Sequence, residues 1–269
     1  MAFNTNFRFR EYVDEKGERK PSPEPERIYG PVCYIGPLTV CAYALETPRG
    51  IAVIDTGYEK DGDLLPDNMR KLGLDPADIR LIFNTHWHWD HSGGNRRLVE
   101  ISGAELCVHA LDAKVLESGK YGDKPVPGGV KVTRGLVDGD VMELGGVEFH
   151  VYHTPGQTAG SISILATVDG PDGPCRALFS GDSTGFKHGV KEIERLGYPG
   201  VCQDYRRAVE VLESIEFDLF CGGHPHQVFR EMRPDGNPFV TREEYLGMLG
   251  ERHRKMEEFV AEHPKYLDW

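Results

Sequence analysis

Thr85-His86-Trp87-His88-Trp89-Asp90-His91 gathers three imidazoles and one carboxylate into six consecutive positions, directly after the buried strand expected at residues 80–84. On an extended tip, residues i and i+2 point to the same side, so His86 and His88 can reach one ion. Asp90 and His91, just beyond the tip, can serve a second. Imidazole nitrogen combined with carboxylate oxygen is the donor set of a borderline divalent metal, zinc first, with iron and manganese left open. Polar residues on an exposed loop, or satisfied core histidines, are the bland alternative, and so dense a cluster argues against it. A catalytic zinc keeps three protein ligands and one open position, so other parts of the chain must contribute. His153 opens the sharp turn His153-Thr154-Pro155-Gly156, Asp182 lies in Phe179-Ser180-Gly181-Asp182-Ser183, and His224 lies in Phe220-Cys221-Gly222-Gly223-His224-Pro225. Each alone reads as a strand-end histidine or a turn aspartate. Each also follows an expected strand, and that shared placement is how one end of a layered α/β domain builds a site.

The elements that must carry these residues follow from pattern. Residues 37–46 and 50–54 are β-rich runs around a Pro48-Arg49-Gly50 turn and read as a hairpin, followed by Asp55-Thr56-Gly57. Residues 61–72 space Leu64, Leu65, Met69 and Leu72 as a helix does and stop at Gly73. The strand at 80–84 is followed by helix at 95–101, strand at 106–109 and helix at 111–118, an alternation that suggests strands covered by helices. After a Gly/Pro-rich loop at 119–130, residues 141–151 form a hairpin around Gly145-Gly146, and 161–168 and 177–179 are short strands. Helix is expected at 204–215, a buried strand at 217–221 and a charged final helix at 243–262. Strands thus fall into two groups, each followed by helices, which fits two sheets packed face to face with helices outside.

Composition narrows the function classes. A chain of 269 residues with 39% hydrophobic and 28% charged residues has material for a sizeable core and is neither disordered nor collagen-like. No apolar run approaches the roughly 20 residues that cross a bilayer, and residues 1–20 lack the apolar middle of a signal peptide. The expectation is a cytoplasmic chain without membrane contact, or a periplasmic one if a leader has been removed. A net charge of −12 repels a phosphate backbone, which disfavours nucleic acid and leaves a small molecule as the partner. The six cysteines contain no C-x-x-C pair and read as reduced thiols. No Gly-x-Ser-x-Gly elbow or nucleophilic cysteine motif offers a competing chemistry.

Taken together, the motifs resemble the metallo-β-lactamase superfamily over residues 28–260: Asp55-Thr56-Gly57, the His86 to His91 cluster with Ser92-Gly93-Gly94, His153-Thr154-Pro155-Gly156, Gly181-Asp182 and Gly223-His224. The resemblance implies an α/β fold, the four-layer αββα sandwich, as one domain over residues 28–269 after an extension at 1–27. It implies two Zn2+ (iron or manganese also open), with His86, His88 and His153 on the first and Asp90, His91 and His224 on the second. Asp182 is implied either to bridge the metals or to orient the shell while Ser183 faces a bound water. Two divalent ions about 3.5–4 Å apart bring a shared water from a pKa near 16 to about 7, so hydroxide attacks a polarised carbonyl with Asp90 as its orienter and proton acceptor. Asp55 then reads as a carboxylate fixing a histidine tautomer, with a turn role as the alternative. Lys187, in a charged stretch at 187–195, is either solvated or placed to meet a substrate carboxylate. Trp87 and Trp89 are expected to point away from the metals. His109, His150 and His188 read as structural, and His226 is unassigned.

Several segments are most similar to the third subclass of metallo-β-lactamases: residues 153–161, Asp204-Tyr205-Arg206-Arg207, and Gly223-His224-Pro225. Two positions depart from it, since Gln157 stands where a His is more usual and Gly185 near where a substrate-contacting Ser is often found. The leading expectation is β-lactam ring hydrolysis. The alternative is a lactone, ester or thioester hydrolase of the glyoxalase II or lactonase type. A di-iron redox protein would normally need a flavin-binding domain, and a scaffold protein would be expected to have lost ligand residues.

Overall fold

The computed structural model describes residues 3, 9–13, 18–37, 39–61, 63–122, 124–126, 130–181, 199–228 and 239–266. A ribbon of β1 (Phe9–Val13) and β2 (Arg19–Pro23) comes first. The chain then enters a mixed sheet through β3 (Glu26–Tyr29), β4 (Val32–Tyr34), β5 (Tyr43–Thr47) and β6 (Gly50–Ile54), which are successively antiparallel. Helix α1 (Leu64–Lys71) leads to β7 (Ile79–Phe83), the single turn α2 (Trp89–Ser92) and α3 (Asn95–Ser102) to β8 (Glu105–His109), and α4 (Ala110–Ser118) follows. A small ribbon, β9 (Lys120–Tyr121) with β10 (Lys124–Pro125), precedes β11 (Arg134–Leu136). The completed sheet has seven strands in the order β11-β8-β7-β6-β5-β4-β3, parallel from β6 through β11.

The second sheet is sequential. β12 (Val141–Leu144), β13 (Val147–His153), β14 (Ile162–Gly170) and β15 (Gly173–Ser180) are antiparallel neighbours, and β16 (Leu219–Gly222) joins β15 in parallel after the crossover helix α5 (Val201–Ser214). The short α6 (Pro225–Val228) and the long α7 (Arg242–Glu262) end the fold.

Alternation along β6 shows how the layers form. Ala52 and Ile54 face the core shared with the second sheet, with Phe83 beside them and Phe149, Ile164 and Phe179 opposite. Ile51 and Val53 face the other way, onto Leu65 and Met69 of α1, Leu98 of α3 and Leu116 of α4. A strand covered on both faces must be apolar at every position, as residues 51–54 are. Outside the second sheet, Tyr245 and Leu249 of α7 join the core, and α5 and α7 share a satellite cluster of Cys202, Tyr205, Met256 and Val260. The architecture is therefore helix, sheet, sheet, helix, a mixed α/β sandwich. Among the described residues no helix is long and apolar enough to cross a membrane.

Local corrections have physical causes. The run at 37–46 is not one strand, because β5 begins at Tyr43 and Cys41 instead donates its amide to the carbonyl of Gly223, 2.8 Å away. β4 has three residues between Gly30-Pro31 and Gly36-Pro37, too few to show a period. α2 is hidden inside the His/Asp cluster, whose polar residues mask any apolar stripe.

Candidate metal centre

Every candidate in the described residues sits at the same end of the two sheets. β6 ends at Ile54 before Asp55, β7 at Phe83 before the His86 to His91 segment, β13 at His153 and β16 just before Gly223-His224. Ile162 at the start of β14 donates its amide to the Thr85 carbonyl, 2.8 Å, which ties the second sheet to the His86 to His91 segment of the first.

Asp55 is the hub. Its backbone is in the left-handed region, φ 59°, which L-residues adopt at a cost and which tends to mark functional sites. Its Oδ1 accepts from the amide of Thr85 at 2.8 Å, while Oδ2 accepts from Thr85 Oγ1 at 2.8 Å and lies 2.7 Å from His91 Nδ1. With the proton on Nδ1, His91 turns Nε2 to the centre. Because the Thr85 hydroxyl hydrogen is committed to Asp55, Thr85 Oγ1 accepts from His86 Nδ1, 3.1 Å away. His86 Nε2 then carries a lone pair, and it is buried without a hydrogen-bond partner. Burial holds His86 neutral, reinforced by the neighbouring His91, His88 and His224. A neutral imidazole with an orphaned, inward nitrogen is the form that binds a metal.

His224 is arranged in the same way, its Nδ1 donating to the Thr39 carbonyl at 3.0 Å and its Nε2 lying 3.8 Å from Asp90 Oδ2. His91 Nε2 is 3.6 Å from the same oxygen. Among the described residues, Asp90, His91 and His224 form a set whose ligand atoms all lie within 4.8 Å of one another. Burial opposes the Asp90 charge, but His91, His224 and His88 outweigh it and hold its carboxyl below the ordinary range. The strand ends pack so closely that a Cβ at Gly223 would meet the Gly181 carbonyl and the His91 ring, so glycine is required there. The donor types, the orphaned nitrogen and the close set fit a divalent metal.

His88 lies beside His86, ring centroids 4.8 Å apart and nearly perpendicular. His153 has partners of its own. Its Nε2 is 2.8 Å from the Ala159 carbonyl, and its ring stacks on His109 at 4.3 Å and 10°. The side chain next to His88 is Gln157, its Nε2 3.5 Å from His88 Nδ1. Asp182, Ser183 and Lys187, with Gly185 and His188, lie outside the described residues.

Trp87 is buried and stacks on Tyr121, while Trp89 is 51% exposed. His109 caps α4 by accepting from the Leu111 amide, and His150 lies at the surface with its Nε2 3.2 Å from Glu148 Oε2. His226 stacks on His224 at 5.6 Å.

Asp112 was missed by motif reasoning. Its Oδ2 accepts from the Trp87 amide at 2.8 Å and Thr158 Oγ1 at 2.7 Å, and its Oδ1 from the Gly160 amide at 3.1 Å. This buried carboxylate thereby joins the segment carrying His86 and His88 to the turn carrying Gln157. Burial pushes its carboxyl up to about 7. A hollow of about 70 Å³ beside it is lined by residues including Trp87, His88, Tyr121 and Gln157. The available sequence signal was a carboxylate on the same stripe as the buried Ala113 and Leu116 of α4.

The family described as the Metallo-beta-lactamase superfamily matches residues 35–224. Among curated proteins, a hydroxyacylglutathione hydrolase of Maricaulis maris is 31% identical over 119 residues, covering 44% of this chain and 39% of that protein. A hydroxyacylglutathione hydrolase of Rhodospirillum rubrum is 33% identical over 144 residues, covering 54% and 48%. The chain thus spans less than half the length of these curated relatives. Among solved structures, BJP-1, a subclass B3 metallo-beta-lactamase of Bradyrhizobium japonicum, aligns with a TM-score of 0.77 at 28% identity over 91% of this chain and 96% of that one. A beta-lactamase from Chitinophaga pinensis aligns with a TM-score of 0.80 at 28% identity over 93% and 98%.

Proposed function

The chain belongs to the metallo-beta-lactamase superfamily, and on that premise we propose that it is a zinc-dependent hydrolase whose leading substrate class is the β-lactam ring. The superfamily places it among hydrolases. The observation that carries the finer reading is the likeness to a subclass B3 metallo-beta-lactamase and to a second beta-lactamase over more than nine-tenths of both chains, with the His/Asp cluster at the shared end of the sheets. When bound, a divalent metal supplies Lewis acidity, lowering the pKa of water and polarising a carbonyl.

The chain's own residues have separate tasks. His86, His91 and His224 each offer an inward Nε2, fixed by a partner on the opposite nitrogen. Asp55 holds both His91 and Thr85 and so sets the orientation of two of these rings. Asp90 Oδ2, ionised and beside two imidazoles, takes the proton of the attacking water and returns it to the departing amide nitrogen. Trp89, exposed next to His88, is available as a wall for an apolar substrate group.

Thioester hydrolysis is the second reading, favoured by the sequence likeness to hydroxyacylglutathione hydrolases. One experiment separates the two: zinc-loaded protein assayed on a penicillin, a cephalosporin, a carbapenem, a lactone and an acylglutathione thioester. The expected result is chelator-sensitive opening of at least one β-lactam. No β-lactam turnover, with a clear rate on the thioester or lactone, would transfer the function to the second reading.

A further inference from the structure

The donors around the two halves of the centre are unequal. Asp90, His91 and His224 bring a carboxylate and two imidazoles together. On the His86 and His88 side, the nearby His91 ring is held by Asp55 and belongs to the Asp90/His224 set, while the His153 Nε2 is committed to the Ala159 carbonyl and its ring is stacked on His109. Gln157 stands there instead. We propose that the carboxamide of Gln157 completes the His86/His88 half of the centre in place of an imidazole, so that this chain takes up one divalent ion tightly and a second only weakly.

Three observations support this. Two donors on one tetrahedral zinc with bonds of about 2.0–2.1 Å lie about 3.4 Å apart, and Gln157 and His88 approach to 3.5 Å, long for a strong hydrogen bond. His86 Nε2, 1% exposed at the residue level and lacking a partner, shows that this half is also built to receive something. The turn carrying Gln157 is held from both ends: Asp112 accepts from Thr158 and Gly160, and the Gly156 backbone, φ 142°, is packed against Tyr205 and the buried Arg252 guanidinium. Bringing His153 into the pair would require breaking its bond to Ala159 and unstacking it from His109. A carboxamide oxygen is neutral and harder than imidazole nitrogen, hence the weaker ligand for zinc. Rotation of the amide by half a turn presents that oxygen without moving the backbone.

The inference rests on the metallohydrolase reading only in needing a metal. Its readout is metal content, so a protein inactive on every substrate can still display it. Metal-free protein is titrated with Zn2+ against a chromophoric chelator, and stoichiometry is checked by native mass spectrometry. Two steps are expected, separated by at least about tenfold in affinity. Gln157→His should narrow the gap by tightening the second step, His224→Ala should remove the first step and leave weak uptake, and His153→Ala should leave both steps in place. Circular dichroism and a thermal melt establish that each variant is folded, and His153→Asn serves as the milder change at that position. Two steps of equal affinity in the wild type would overturn the proposal, as would loss of the weak step in a folded His153 variant together with no response to Gln157→His.

Discussion

Asp90 is half-buried and Asp112 fully buried, and their surroundings drive the two carboxylates in opposite directions. Asp90 faces three imidazoles that outweigh the cost of burial, and Asp112 faces only neutral donors, so burial raises its carboxyl to about 7. Asp90→Asn should therefore abolish most turnover, about 10²-fold or more, while the fold and at least one metal survive, since an amide cannot accept the proton. Steady-state rates beside elemental analysis test it, and near-normal turnover at full metal content would remove Asp90 from the mechanism. Asp112→Asn puts an NH2 donor in place of one carboxylate oxygen, facing either the Gly160 amide or the Trp87 amide and Thr158 hydroxyl, and should cost about 1–3 kcal/mol in urea unfolding. Its pH dependence has a definite sign. The folded pKa lies above the unfolded value of about 3.9, so the stabilisation from Asp112 is full below that value and is lost as pH rises through about 7. The wild-type advantage over Asp112→Asn in metal-free protein should shrink between about pH 4 and 7, and a flat difference would count against it.

At the scale of elements, what pattern could reveal was periodicity over several turns. The helix expected at 243–262 is α7, Arg242–Glu262, opened by a capping box in which Thr241 accepts from the Glu244 amide and Glu244 from the Thr241 amide. Thr241→Ala should lower stability by about 1 kcal/mol, read as a lower thermal midpoint, with metal uptake unchanged. The hairpin at 141–151 and the strands at 50–54 and 80–84 were legible for the same reason, since alternation or continuous apolar runs lasted several residues. The three-residue strands β4 and β11 were not, because their pairing comes from neighbours remote in the chain.

Over the whole molecule, all six cysteines are buried in the layers between and outside the sheets, free and with thiols that burial raises. Ellman's reagent should find none reacting rapidly in the native protein and six after unfolding; a fast native thiol would place one at an accessible surface. The family, the layer order and the place of a candidate metal site were legible in sequence because their signals are local: the His86 to His91 segment follows one strand, and His153 and His224 lie at or just beyond the ends of two others. Which distant side chains lie beside that candidate site is set only by the tertiary structure. His153 and Gln157 lie four residues apart in one turn, and nothing in their spacing says which faces His88. That choice is made by contacts from remote parts of the chain, His109 stacked on His153, Asp112 holding Thr158 and Gly160, and Arg252 packed under Gly156. A ligand's orientation is fixed by packing, and packing exists only after the sheets and helices have closed on one another.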